Sequence, residues 1–277
     1  MRSTMQGEVE DGAELRLARL TTEALDRVLK GKAPCAALVP VGSVEPHGPH
    51  LPLGTDTVIG EAAALRAARR LRSAGVEALL APSVGYGVTD FAAGFAGALS
   101  VPAAALSAFL RAVVEAHLAA GFVHVCLVNN HLEPAHDAAV RGAIAGLPEG
   151  RASVACPLTR RWGRTLGDEF RSGACHAGRY ETSLVLAAAP EEVRRDLARA
   201  LPDLDISLSV GIKAGKHTFQ AMGMDAAYTG APGAASAEEG AALLDRLAEM
   251  IATEVSEGLA ALKTLANGEG CGGAHSG

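Results

Sequence analysis

Apolar residues along this chain gather in short runs, at 36–41, 77–81, 123–128 and 152–155, interrupted only by Glu77, His124 and Ser153. A strand buried on both faces needs such a run, so each is read as a strand of a parallel sheet. Between and after them lie longer Ala-rich stretches with helical character, at 58–74, 103–120, 135–145, 190–200 and 237–262. This rhythm predicts an α/β fold, a three-layer α/β/α arrangement around a mostly parallel central sheet. The last helix could pack on that sheet or against another subunit. No repeat or linker interrupts the pattern, so 13–266 is expected to form a single α/β domain. The ends differ, since 1–12 is polar and 267–277 is rich in Gly. Both are expected to be mobile.

Composition narrows the class. Hydrophobic residues make up 49% of the 277 and charged ones 20%, which suits a packed core rather than a disordered chain. A net charge of -6 without a basic stripe argues against a nucleic-acid partner. No apolar run is long enough to span a bilayer, and 1–16 lacks the apolar core of a secretory signal. Cys35, Cys126, Cys156, Cys175 and Cys271 show no paired spacing and read as reduced thiols. The expectation is a cytoplasmic small-molecule enzyme with no membrane partner.

The chemistry concentrates just beyond two of the strands. Ser43-Val44-Glu45-Pro46-His47-Gly48-Pro49-His50-Leu51-Pro52-Leu53-Gly54-Thr55-Asp56 follows the first run and is too rich in Gly and Pro to extend it. Glu45 and His47, two positions apart, point the same way in an extended chain. Asp56 can fold back to meet them. The run 123–128 leads into Asn129-Asn130-His131-Leu132-Glu133-Pro134, where His131 and Glu133 repeat that spacing. Three carboxylates and two imidazoles are too many ligands for a single catalytic zinc that keeps an open position. They suit two divalent ions, Zn, Mn or Fe, with one bridging carboxylate and an activated water. A third segment, Cys175-His176-Ala177-Gly178-Arg179-Tyr180-Glu181-Thr182-Ser183, adds His176, a candidate general acid or base, and Glu181.

Each of these residues has a plainer reading. Asp56 could cap the next helix, Glu133 could sit at a helix start, and His176 could be a turn residue. Glu181 could begin a helix or pair with an arginine. His124 and His117 read as strand and helix residues, and His136 and His217 as undecided. A thiol nucleophile at Cys175 is disfavoured, because adjacent side chains in an extended chain point apart.

Taken together, these motifs resemble the creatininase family of metal-dependent amidohydrolases. The resemblance runs from about residue 35 to about residue 240, with weaker blocks at Gly85-Tyr86-Gly87 and Phe95-Ala96-Gly97. It implies metal ligation by Glu45, His47, Asp56, His131 and Glu133, with Asp56 bridging. It implies that His176 handles the proton given to the leaving nitrogen. Glu181 would orient a ligand, or become one if Glu133 does not. It also implies a homo-oligomer, commonly a hexamer. Creatininases proper carry a Tyr between the second His and Glu, an acidic residue before the catalytic His, and several Trp residues near the substrate. Here Leu132, Cys175 and the single Trp162 point away from creatinine itself. The expected activity is hydrolysis of a non-peptide C–N bond in a small cyclic or linear amide. The alternatives are a pathway-specific peptidase or deformylase in cofactor or modified-peptide maturation, and a non-catalytic, metal-stabilised oligomeric protein.

Overall fold

Four parallel strands, β1 (Cys35–Val41), β2 (Glu77–Leu80), β3 (His124–Asn129) and β4 (Ala152–Ala155), pair in the order β2-β1-β3-β4 in the computed structural model. The structure describes residues 14–269. All seven β1 residues are buried, as expected for a strand with neighbours on both edges and helices on both faces. Pro40 is tolerated in this central strand because β2 pairing ends opposite Leu38, so the missing N–H falls beyond the ladder.

The helices are α1 (Thr22–Leu29), α2 (Thr55–Ser73), α3 (Ala103–Ala119), α4 (Pro134–Ile144), α5 (Arg160–Gly163), α6 (Asp168–Ser172), α7 (Arg179–Ala188), α8 (Arg195–Ala200), α9 (Leu208–Lys213), α10 (Phe219–Met222) and α11 (Ala237–Glu269). Alternate strand residues face opposite layers. Ala36, Leu38, Cys126 and Val128 pack with residues of α2, α7 and α11, whereas Ala37, Val39, Val125 and Leu127 pack with α3 and α4. The expected three-layer α/β/α fold is therefore present. The long α11 packs against α2, α7 and the sheet. A smaller apolar cluster of Phe219, Met222, Met224, Ala92 and Ala227 ties α10 to the segment after β2.

The helix expected at 190–200 is interrupted. Pro190–Glu192 forms a 3-10 turn, Val193 turns extended into the core, and the Arg194 N–H donates to His50 O at 2.9 Å before α8 begins. Tertiary packing of Val193 overrides the local helical preference. The expected mobile segment 1–12 and residues 270–277 lie outside the described residues, while α11 continues past 267 to Glu269.

Position matters most at the carboxyl ends of the strands. Val41 is paired with Asn129, and Val41 also bridges Val84. The chain therefore leaves β1, β2 and β3 side by side, where open α/β sheets place their ligands.

Candidate metal centre

Glu45 and His47 lie in the segment leaving β1, which folds on itself through the Glu45 N–H donating to Leu53 O at 3.1 Å. Asp56 is not part of this loop, as the sequence suggested, but sits in the first turn of α2, where the helix N-terminus favours its charge. Its approach to β1 requires Gly42, since a Cβ there would stand 2.7 Å from the Asp56 Cβ. The Ser43 N–H and hydroxyl both donate to Asp56 Oδ2, at 3.1 and 3.0 Å.

Asp56 stands between two imidazoles. Its Oδ1 is 3.3 Å from His47 Nε2, and its Oδ2 is 3.3 Å from His131 Nδ1. Glu45 Oε1 lies 3.0 Å from His131 Nδ1, and Glu181 Oε2 lies 3.6 Å from His47 Nε2. Two groups able to hold a cation result, Glu45–Asp56–His131 and His47–Asp56–Glu181, with Asp56 common to both. A third grouping, Glu45–His47–His176, is looser at His176, whose Nδ1 is 3.9 Å from Glu45 Oε1.

The outer nitrogens decide what the inner ones offer. His47 Nδ1–H donates to Glu45 O at 3.0 Å, His131 Nε2–H to Val88 O at 2.7 Å, and His176 Nε2–H to Pro46 O at 3.0 Å. A carbonyl can only accept, so each neutral ring turns a lone pair toward the carboxylates. His47 Nε2 makes no hydrogen bond. Glu45, Asp56 and Glu181 are buried, and their ion-pair partners are imidazoles. Three buried carboxylates facing lone pairs are costly unless a cation joins them, so the donor set fits divalent metal ions.

Without a metal, protons take that role. Burial opposes a charged His47, but Asp56, Glu181 and Glu45 outweigh it and lift the imidazole to about 10. His131 is raised well above its ordinary value as Glu45 and Asp56 overcome the same burial penalty. Burial would raise Glu45, yet His131 beside it holds the carboxyl at about 2. His176 behaves oppositely. Burial and then the neighbouring His47 lower it to about 4, leaving a neutral ring whose Nδ1 faces the cluster.

Glu181 and Glu133 are placed differently. Glu181 lies in the first turn of α7, and its Oε2 accepts from the Ala177 N–H at 2.7 Å. Ala177 adopts a left-handed φ of 51°, a strained conformation for a residue with a side chain, which aims that N–H at the site. Glu133 belongs to none of the three groups. It precedes α4, and its carboxylate accepts from the Asp90 and Phe91 N–H groups at 3.2 and 3.1 Å. Burial raises it to about 7.

A strap after β2, at 88–91, was not recognised in the sequence. Val88 O receives the His131 proton, the Thr89 hydroxyl donates to Glu45 Oε2, and Asp90 and Phe91 hold Glu133. The weak blocks at Gly85-Tyr86-Gly87 and Phe95-Ala96-Gly97 flank it without including it. Above the carboxylates, Phe91, Leu132, Leu208, Ile212 and Phe219 wall a cleft of about 50 Å³ that also meets Cys175, His176 and Glu133. Phe219 stacks on His176 with centroids 4.4 Å apart. Burial, then Glu181 and Glu169, push the Cys175 thiol up, so it is a poor nucleophile.

A family model described as Creatininase, creatinine amidohydrolase, matches residues 18–255. The chain belongs to the creatininase family. Among its relatives, the mycofactocin precursor peptide peptidase of Mycobacterium ulcerans is 37% identical over 183 residues, covering 60% of this chain and 67% of that protein. The protein of the same name from Mycobacterium tuberculosis is 36% identical over 170 residues, covering 59% of this chain and 62% of that protein. The match to the latter thus spans less than two thirds of its length. Among solved structures, one described as "Creatininase Mn" superposes with a TM-score of 0.67 at 21% identity, over 88% of this chain and 98% of that one. A mutant creatininase of the Zn-Zn type gives 0.65 at 22%, with the same coverage. These two share the fold.

In this creatininase-family hydrolase, Leu132 and Cys175 line the cleft, but Trp162 does not. It is buried in the core, with its Nε1–H donating to Glu254 at 2.9 Å. His50 is buried against α7 through Thr182 Oγ1 at 2.9 Å, a structural place in the signature loop. His124 bonds Gly150 O and Ser153 within the sheet region, and His117 is half-buried on α3 against Phe122. His217 is exposed. Cys35, Cys126, Cys156 and Cys175 are free and buried, while Cys271 lies outside the described residues. No described helix is long and apolar enough to cross a membrane.

Proposed function

We propose that this chain is a dinuclear metal-dependent amidohydrolase, with Glu45, Asp56 and His131 holding one divalent ion, His47, Asp56 and Glu181 the other, and Asp56 shared. The observation carrying this reading is the orientation of Asp56, one oxygen toward each imidazole, with both rings fixed to present lone pairs. The mixed imidazole and carboxylate set suits Zn, Mn or Fe. Such ions, when bound, polarise an amide carbonyl and make a water nucleophilic near neutral pH.

The remaining groups divide the proton work. His176, neutral and clamped between Pro46 O and the Phe219 ring, takes a proton at Nδ1 and delivers it to the departing nitrogen. Glu133, at about 7, exchanges a proton at the cleft wall rather than completing the metal shell. Ser43 and Thr89 orient Asp56 and Glu45, and the apolar wall limits access of bulk water.

The names of the relatives favour a peptide amide bond over the non-peptide one expected from sequence, so the proposed substrate is a small or modified peptide. The aliphatic and aromatic cleft walls support an apolar residue beside the scissile bond. The test is a panel of creatinine, dipeptide amides and the precursor peptide of the relatives, with metal removed and restored. Metal-dependent cleavage of a peptide without creatinine turnover is expected. Creatinine turnover alone would reject the peptide reading.

A further inference from the structure

His136 is not a member of any of the cation-holding groups, yet it is completely buried under them, in the first turn of α4. Its ring meets that of His131 edge to face, with centroids 4.6 Å apart at 79°. The Val88 N–H donates to His136 Nδ1 at 3.2 Å, and the carbonyl of the same residue accepts the Nε2–H of His131 at 2.7 Å. A backbone N–H can only donate, so Nδ1 must be unprotonated and the ring proton must sit on Nε2. That Nε2 is buried without a partner, a cost the fold accepts. The strap is pressed closely onto the ring, since a Cβ at Gly87 would stand 2.5 Å from His136 Nδ1 and 2.7 Å from Gly42 O.

We propose that His136 is a positioning residue for the metal centre. By accepting from the Val88 N–H it anchors the residue whose carbonyl, in the next peptide, sets the tautomer and direction of His131. The same anchoring holds Thr89 against Glu45, and Asp90 and Phe91 against Glu133, so one buried ring registers the strap against three residues of the site. Partners one step beyond metal ligands tune affinity as well as orientation. This inference rests on the dinuclear reading.

The test compares the parent protein with His136→Leu, which removes the acceptor, and His136→Asn, whose Oδ1 can replace Nδ1. Zinc affinity is measured by chelator competition, alongside thermal unfolding of the chelated proteins. His136→Leu is expected to bind zinc about 10–100-fold more weakly, and His136→Asn to recover most of that loss. Equal affinity in parent and His136→Leu overturns the positioning role while leaving the dinuclear reading intact. Equal losses in both variants overturn it too, because volume rather than the acceptor would then matter. A parent that binds no zinc, manganese or iron sinks the dinuclear reading and this inference with it. Should His136→Leu fail to fold, nitrogen chemical shifts of the imidazoles in the parent decide. An unprotonated Nδ1 on His136 supports the proposal, and a protonated one overturns it.

Discussion

Gly42 and Asp56 approach so closely that a methyl group on Gly42 would come within 2.7 Å of the Asp56 Cβ. The contact joins the end of β1 to the first turn of α2 and sets where the shared carboxylate stands. Gly42→Ala should therefore displace Asp56 and lower turnover by about 100-fold, the scale of a misplacement near 1 Å. Metal content and turnover measured together check this; an alanine variant with unchanged values would show that the close approach is dispensable.

Thr89 supplies the hydroxyl that holds Glu45 Oε2. Thr89→Val keeps the shape but leaves a buried carboxylate oxygen short of a donor. A loss of about 1–3 kcal/mol in urea unfolding of the chelated protein is expected, with weaker metal binding. Thr89→Ser should retain both. If valine is tolerated as well as serine, the hydroxyl contributes nothing to the site.

Glu181 and Glu133 are separated by their surroundings, one beside His47 and the other held by the N–H groups of the strap. Glu181→Gln should weaken metal binding by at least about tenfold. Glu133→Gln should keep the metal and slow turnover by about 100-fold, as for loss of an acid or base group. The reverse pattern in metal analysis and kinetics would exchange the two roles.

Chelation should also expose a pH dependence of stability. His47, raised from 6.5 to about 10, stabilises the metal-free fold fully below 6.5, and this contribution fades as pH rises through about 10. Glu181, raised to about 7, acts in the same direction between 4.5 and 7. His176 and His136, lowered to about 4 and about 3, act oppositely, because the unfolded chain takes up their protons first as the pH drops below 6.5. The urea midpoint with chelator should thus decline from pH 6.5 toward 10. A flat profile over that range would show that the buried imidazoles do not carry the charge.

Much of this was legible in the sequence because burial on both faces leaves a simple mark. The four apolar runs became β1 to β4 within a residue or two. By contrast, α7 was readable only as a helix start at Glu181, since Tyr180 to Leu186 are all buried and the polar Glu181, Thr182 and Ser183 are consecutive rather than spaced at a helical period. The residues of the centre were readable as Glu, His and Asp in Gly- and Pro-rich surroundings. Which glutamate joins His47 was not, because that depends on how α4 and α7 are set against the sheet. The strap was also silent in the sequence. Its main contributions are the Val88 carbonyl and the Asp90 and Phe91 N–H groups, which any residue carries.

The central claim is that Asp56 is shared by two metal ions. Its most direct test is metal stoichiometry, by elemental analysis of protein loaded with excess zinc and desalted, for the parent, His47→Ala, His131→Ala and Asp56→Ala. The account predicts two ions in the parent, one in each histidine variant and none held tightly in Asp56→Ala. A parent that binds a single ion, or an Asp56→Ala protein that keeps two, would contradict it.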